Sequence, residues 1–376
     1  MITNRRLDAG KKLDAGKFGP AITGVSHDLQ ALAFVTISLI TSAMVLYGLL
    51  LFSHTALLNT ALANTDNRLQ ETCEPPVYLT RSWRQTDFSK CTIDLQEIIS
   101  GGPPKDGIPP IDNPQFQPAS AVDMNAREPV ISVSYNGEAK AYPLSILTWQ
   151  EILNDEIGGK PIAVTYCPLF NTTITFDRNY QGEVLDFGTT GSLRHSDLVM
   201  YDRQTESFWQ QYNGDAIAGA YAGAQLSLIP SRLESFGEYK DRYPNGQVLS
   251  VPTNFNRRYG MNPYVGYDSA PFPFLFQGEV PDGIRPLERV VVIDDVAFAL
   301  PYLQKQKQIT YEDYIITWQS GQASALDSAV ISQGRDVGTV IVQRQEDHGQ
   351  LVDVPYKVTF AFVWHAFQPD KEIKGL

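Results

Sequence analysis

The stretch PVISVSYNGEAKAYPL, residues 129–144, alternates apolar and polar side chains on both sides of Asn136-Gly137. Alternation with a period of two marks a strand with one buried face. Asn-Gly is the pair that accepts the positive φ angles of a two-residue hairpin turn. The stretch therefore predicts a β-hairpin. Downstream, PIAVTYCPL at 161–169 is almost entirely apolar, as expected of a central strand covered on both faces. Shorter strands are expected at 172–177, 183–187, 197–201 and 207–212. Residues 147–157 read as a short helix ended by Gly158-Gly159, and residues 232–243 as a second one closed by Pro244-Asn245-Gly246. The fold class is mainly β, a β-rich α+β domain.

A second stretch, ERVVVIDDVAFALPYL at 288–303, echoes the first. Ala139-Lys140-Ala141-Tyr142-Pro143 is matched by Ala297-Phe298-Ala299-Leu300-Pro301, and a strand preceded by glycine follows each, at Gly159 and at Gly338. An internal duplication explains the echo, and so does chance similarity of two hairpins.

Upstream the periodicity stops. Residues 101–114, GGPPKDGIPPIDNP, hold five prolines and three glycines and no apolar period, which is loop chemistry. Cys73 and Cys91 lie in the same irregular region. A bond between them closes a loop of about 18 residues and stabilises by about 3 kcal/mol. They are expected to pair, leaving Cys167 free.

Residues 31–52 contain no charged side chain and are rich in Leu, Ile, Val and Ala. At about 1.5 Å per residue such a helix crosses a hydrocarbon core of roughly 30 Å. Arg5, Arg6, Lys11, Lys12 and Lys17 precede it, so the positive-inside rule keeps the N-terminus cytoplasmic. Ala61-Leu62-Ala63 has the form of a signal-peptidase site, and cleavage there is the competing reading of the same segment. Either way the main domain is exported. The expected organisation is a disordered cytoplasmic tail at 1–28, a transmembrane anchor at 29–53, an extracytoplasmic spacer and wrapping segment at 54–125, and a β-rich domain at 126–376.

Thirty basic residues stand against 42 acidic ones, a net charge of −12. An acidic domain repels phosphate backbones, so nucleic acid is not the expected partner. Three cysteines are too few for a disulfide scaffold or a zinc ribbon.

By Tyr166-Cys167-Pro168-Leu169 the chain resembles the family known as domain of unknown function 3179. The resemblance begins in the Gly/Pro-rich stretch at 101–114 and runs through GEAKAYPLSILTWQEILNDEIGGKPIAVTYCPL (137–169) and FGTTGSLRHSDLVMYDRQTESFWQQYNGDAI (187–217). It closes at WHAFQPDKE (364–372). The most specific block is MYDRQTESFWQQ at 200–211. The resemblance implies a fold and a candidate site but no reaction. Relatives typically read Cys-Pro-Leu-Cys where this chain has Phe170 as the fourth residue, and often Trp-His-Glu where it has Trp149-Gln150-Glu151. Two groups able to bind a metal or carry redox chemistry are thus absent.

Several residues remain as candidates. Cys167, at a strand end before Pro168, is a candidate nucleophile or soft-metal ligand, and equally a buried core residue. Cys167, His195 and Met200 together are a copper ligand set. Residues five apart in a strand face opposite ways, so His195 and Met200 share an ion only if Ser196-Asp197 makes a bend. Asp202, Arg203 and Glu206 either orient a substrate or pin a tight turn. Trp209 and Gln211 share a strand face and either line a cleft or flank the core. Residues 188–192, GTTGS, lack the Lys-Ser/Thr ending of a P-loop and read as a β-turn. No Gly-x-Ser-x-Gly elbow, His-Glu-x-x-His or Cys-x-x-Cys occurs. If a site exists here, Cys167 and at least two of His195, Asp202, Arg203 and Glu206 should border one pocket. The leading expectation is a binding or accessory module of the cell envelope. An enzyme using Cys167, His195 and the Asp202/Arg203/Glu206 cluster is the first alternative, and a soft-metal binder the second. No motif names a cofactor, a small-molecule ligand or a protein partner.

Overall fold

Asn136 and Gly137 take φ angles of 47° and 81°, and the strands on either side pair antiparallel from Val130↔Pro143 to Tyr135↔Glu138. This hairpin sits in a computed structural model that describes residues 69–70 and 72–376. The expected tail, the expected anchor at 29–53, the Ala61-Leu62-Ala63 site and the start of the spacer lie outside the described residues. Among the described residues no helix is long and apolar enough to cross a membrane. They belong to one unit, residues 65–376, which is mainly β with few helices.

In chain order the elements used below are α1 (Val77–Ser82), β1 (Ile98–Ser100), β2 (Ile111–Asp112), β3 (Phe116–Pro118), β4 (Pro129–Tyr135), β5 (Glu138–Pro143), α2 (Leu144–Gln150), β6 (Ile152–Ile157), β7 (Lys160–Cys167) and β8 (Thr172–Asp177). Then follow β9 (Phe187–Arg194), β10 (Asp197–Asp202), β11 (Phe208–Gln210), β12 (Ala216–Ala218), β13 (Arg232–Ser235), α3 (Phe236–Arg242) and β14 (Gln247–Leu249). The last third holds β15 (Arg289–Ile293), β16 (Val296–Ala299), α4 (Leu300–Gln306), β17 (Gln308–Tyr311), β18 (Tyr314–Gln319), β19 (Thr339–Gln345), β20 (Lys357–Phe360), α5 (Ala361–Phe367) and β21 (Ile373–Lys374).

One order of elements occurs twice. β13-β4-β5-β14 form one sheet and β20-β15-β16-β21 another; in each the first two pairings are antiparallel and the last is parallel. A short helix follows each hairpin, α2 or α4, and leads into an antiparallel meander, β6-β7-β8 or β17-β18-β19. A helix also links the flanking strands, α3 between β13 and β14 and α5 between β20 and β21. Even the helix ends agree: Glu151 caps α2 at φ 58°, ψ −38°, and Lys307 caps α4 at φ 66°, ψ −41°.

Two local readings are corrected. The expected helix at 147–157 is α2 followed by β6. Glu151 turns left-handed and ends the helix, and the run from Ile152 to Ile157 pairs with β7. The expected helix at 232–243 begins as β13, because Leu233 and Ser235 extend the hairpin sheet. The helix then starts at a capping box in which Ser235 and Glu238 each satisfy the other's backbone N–H.

Strands β9 to β12 fall between β8 and β13 and, with β1 at one edge, form a sheet of order β1-β9-β10-β11-β12, in the first half only among the described residues. Strand β10 is buried on both faces. Leu198 and Met200 join the main core with Phe187 and Trp209, whereas Val199 and Tyr201 face Leu79, Trp83, Cys91 and Ile98. The covering layer is held by a Cys73–Cys91 disulfide with the two Cα atoms 5.9 Å apart; Cys167 is free and buried. The segment before residue 126 is part of the fold: β1, β2 and β3 each add an edge to a different sheet.

Candidate functional site

The YDRQTES block serves the fold. Asp202 is fully buried and accepts from Thr205 N (2.6 Å) and Thr205 Oγ1 (2.9 Å), which is an Asx-type turn, and from Trp209 Nε1 (2.8 Å). Arg203 pairs with Asp112 at 2.9 Å and Glu206 with Lys105 at 2.5 Å. The Lys105 amine also lies 4.5 Å from the ring centroids of Trp83 and Tyr201. These contacts pin residues 105–112 over β10. Trp209 is fully buried, and its nearest ring partner is Tyr180 at 5.8 Å; Gln211, also fully buried, donates to Thr165 Oγ1 at 2.8 Å.

Cys167 lies elsewhere. Its Sγ is 3.9 Å from the carbonyl oxygen of Ser196, at the Asp197 end of β10. Asp202 ends the same six-residue strand, roughly 16 Å away at about 3.3 Å per residue. The structure therefore brings Cys167 close to the His195-Ser196 turn but not to Asp202, Arg203 or Glu206. His195 and Ser196 form that turn with φ 56° and 74°. The His195 ring stands 3.4 Å from Glu97 and 5.6 Å from the Phe367 ring centroid. Hydrogen bonding from His195, with help from Arg194, pulls Glu97 down to about 2. Met200 is sealed in the core, its backbone paired with Thr189 and Trp209. The copper set of Cys167, His195 and Met200 is thus not assembled, because Met200 shares the core face of β10 while His195 sits in the turn before it. Among the described residues no group of three His, Cys, Asp or Glu side chains is arranged to hold a metal. The two positions that depart from the family pattern are both filled: Gln150 is fully buried beside the Tyr259 hydroxyl at 2.8 Å, and Phe170 packs edge-on against Phe362 at 5.4 Å.

A different group of residues lines a cavity of about 120 Å³. Glu151 enters it from the left-handed turn after α2, with its N–H on Leu147 O (2.9 Å) and its carbonyl accepting from Tyr166 N (2.8 Å). Leu169 and Leu198 supply apolar wall, Thr189 and Ser192 come from β9, and Tyr264, Phe274 and Leu275 come from the long connection between β14 and β15. Ile108, Gly191 and Leu193 also line it, with Gly101 and Pro103. The segment holding the last two crosses β9 so closely that a Cβ on Gly191 would lie 1.9 Å from Pro103 O, which explains a glycine there at φ 74°. The GTTGS run, expected as a β-turn, is instead strand β9 with a register shift between Thr189 and Leu193.

The cavity is acidic. Glu151 is 9% exposed, and no hydrogen bond or ion pair reaches its carboxyl group among the described residues. Burial, reinforced by Asp197, pushes it up to about 8. Asp197 is fully buried; one oxygen accepts from Gln210 Nε2 (2.5 Å) and Tyr212 N (2.8 Å), and the Cys167 thiol and the Leu198 N–H also face the carboxyl group. Burial raises Asp197 to about 7. Burial and both carboxyl groups hold the Cys167 thiol well above its ordinary range, so it is protonated at neutral pH. Glu151, Asp197 and Tyr264 were not among the sequence candidates. One local signal pointed to Glu151: an acid directly after an apolar helix opposes the helix dipole, so something other than helix stability keeps it there.

The family described as "Protein of unknown function (DUF3179)" matches residues 105–371 of the chain. No curated protein and no solved structure matches it. The match takes in both halves of the repeated arrangement apart from β21, the sheet between them apart from β1, and every residue lining the cavity except Gly101 and Pro103, and the chain belongs to the DUF3179 family.

Proposed function

We propose that the folded domain is a ligand-binding module of the cell envelope whose site is the Glu151 cavity. The observation that carries this reading is Glu151 itself: a residue only 9% exposed whose carboxyl group makes no hydrogen bond or ion pair among the described residues and lines a mostly apolar cavity. Desolvation disfavours the charged form of such a group, and a ligand that pairs with it offsets that cost. Pockets with mostly apolar walls and one convergent polar group are typical small-molecule sites. The protonated state of Cys167 supports binding over nucleophilic chemistry, since the thiolate is the reactive form.

The uncharged run at 31–52 behind five basic residues supports an N-terminal anchor at 29–53, with the tail at 1–28 cytoplasmic and the rest outside. The disulfide supports an oxidising compartment. The recurring order of elements supports an internal duplication in which the first copy alone carries the acid: Glu151 of α2 corresponds to the exposed Lys307 of α4.

Thermal denaturation of the purified full-length protein with a panel of organic probes of four to six heavy atoms, at millimolar concentration, tests the site. At least one probe should raise Tm for the native protein and not for Glu151→Ala. If no probe raises Tm, or if Glu151→Ala responds equally, this site assignment fails.

A further inference from the structure

We propose that the Glu151 cavity selects a small apolar organic cation, an alkyl primary ammonium. Its charged head pairs with Glu151, and its alkyl body lies against Leu169, Leu198 and Phe274. The inference rests on the ligand-binding reading above and goes further by naming the charge and chemical class of the ligand.

The lining contains one ionised-or-ionisable acid and no basic residue. The groups that interact with Glu151 and Cys167 from the packed elements are all acids or phenols: Asp197 from β10, Cys167 and Tyr166 from β7, and Tyr264 and Tyr267 from the long connection. Lys357 interacts with Asp197, but its amine lies over the Tyr212 ring, 4.6 Å from the centroid, and does not line the cavity. Two buried carboxyl groups near each other stabilise positive charge between or beside them. An anion would find no basic partner in the lining and would oppose ionisation of both acids. A neutral amide could hydrogen-bond the protonated acid but would leave that field unused.

Size narrows the class. A cavity of about 120 Å³ holds several water molecules, since one needs only about 10–15 Å³ of such space. A branched alkylamine of five heavy atoms is on that scale. The exposed rings of Phe272 and Phe274 mark the outer side of the same connection, so the apolar end of a ligand meets aromatic surface on entry. Below about pH 8, where Glu151 is mostly protonated, binding an ammonium requires it to give up its proton to solvent, so up to one proton is released for each cation bound. Affinity should therefore rise with pH until the free acid is already ionised.

Isobutylamine, isobutyramide and isobutyrate have the same branched body and differ in charge. Calorimetric titration of the full-length protein with each, at pH 6, 7 and 8, reads the selection directly. The expected result is that isobutylamine binds at least tenfold more tightly than isobutyramide at pH 8 and that isobutyrate does not bind. The isobutylamine affinity should rise close to tenfold from pH 6 to 7 and about fivefold from 7 to 8, levelling off only above 8. Glu151→Gln, which keeps the shape and removes the charge, should abolish the preference for the amine while circular dichroism shows an intact fold. Isobutyramide binding as tightly as isobutylamine to the native protein overturns the cation inference and leaves the cavity as a binding site. Isobutylamine binding that is independent of pH also overturns it. Failure of all three probes overturns this inference; the binding reading falls with it only if the wider panel fails too. The native-protein comparison needs no variant, so it stands even if Glu151→Gln does not fold.

Discussion

The indole N–H of Trp209 donates to Asp202 across 2.8 Å in the main core, and both residues are fully buried. The same carboxylate closes the turn to Thr205, so one side chain ties the end of β10 to β11 and to the bend between them. The most specific block of the sequence is specific because its polar groups answer one another inside the core. Asp202→Ala should remove both sets of bonds and leave the Trp209 N–H unpaired, at a cost of about 2–4 kcal/mol. Urea denaturation measures it. A loss under 1 kcal/mol would remove this structural account of the block.

Stability should depend on pH through the cavity acids. Glu151 stands at about 8 in the folded protein against an ordinary value of 4.5, and Asp197 at about 7 against 3.8. Both folded-state values are raised, so the folded protein binds more protons than the unfolded chain. Their contribution is fully present below the ordinary values and is lost as pH rises through about 7 and 8. Glu151→Gln should flatten this fall and be more stable than the native protein at pH 8, by on the order of 2–4 kcal/mol. Chemical denaturation at pH 5, 6.5 and 8 provides the comparison; parallel curves for the two proteins count against a neutral Glu151.

Asp268 organises the far side of the connection that roofs the cavity. It is fully buried and receives Arg289 at 3.0 Å, Arg335 at 2.7 Å and Ser324 Oγ at 2.5 Å. The two guanidinium groups hold its carboxyl group below the usual range despite its burial. Removing one partner of such a network strands the buried Arg289 charge, and Asp268→Ala should cost about 3–5 kcal/mol. Limited proteolysis should then cut first between residues 250 and 288. Cleavage confined to other regions would disconnect Asp268 from the roof.

The Cys73–Cys91 bond holds the layer over Val199 and Tyr201. Replacing both cysteines by serine should cost about 3 kcal/mol and make residues 72–98 the first to exchange amide hydrogens. Peptide mapping without reductant should find these two cysteines joined and Cys167 free. Recovery of Cys167 in a disulfide would contradict the arrangement.

The proposed anchor and its orientation are testable without the structure. Alkaline phosphatase fused after Leu376 should be active if the positively charged tail stays in the cytoplasm. An inactive fusion made in normal amounts would reverse the proposed topology.

Local physics made part of this protein legible from its residues. The alternation at 129–144 and the Asn136-Gly137 pair specify a hairpin because side-chain period and turn φ are properties of a few adjacent residues. The echo at 288–303 was visible for the same reason, and so was the family, whose motifs lie in order along the chain. The helix readings at 147–157 and 232–243 failed at their boundaries. Ile152–Ile157 and Arg232–Ser235 take the strand state from partners that are distant in sequence, and no local period announces such a partner. The site was decided by tertiary structure alone. Glu151, Thr189, Leu198 and Tyr264 come from four separate stretches. They share a cavity only because residues 101–107 cross β9 at Gly191 and the connection after β14 folds back above it. Desolvation, which gives Glu151 its altered acidity, arises from everything packed around it, and a sequence records the acid but not what excludes water from it.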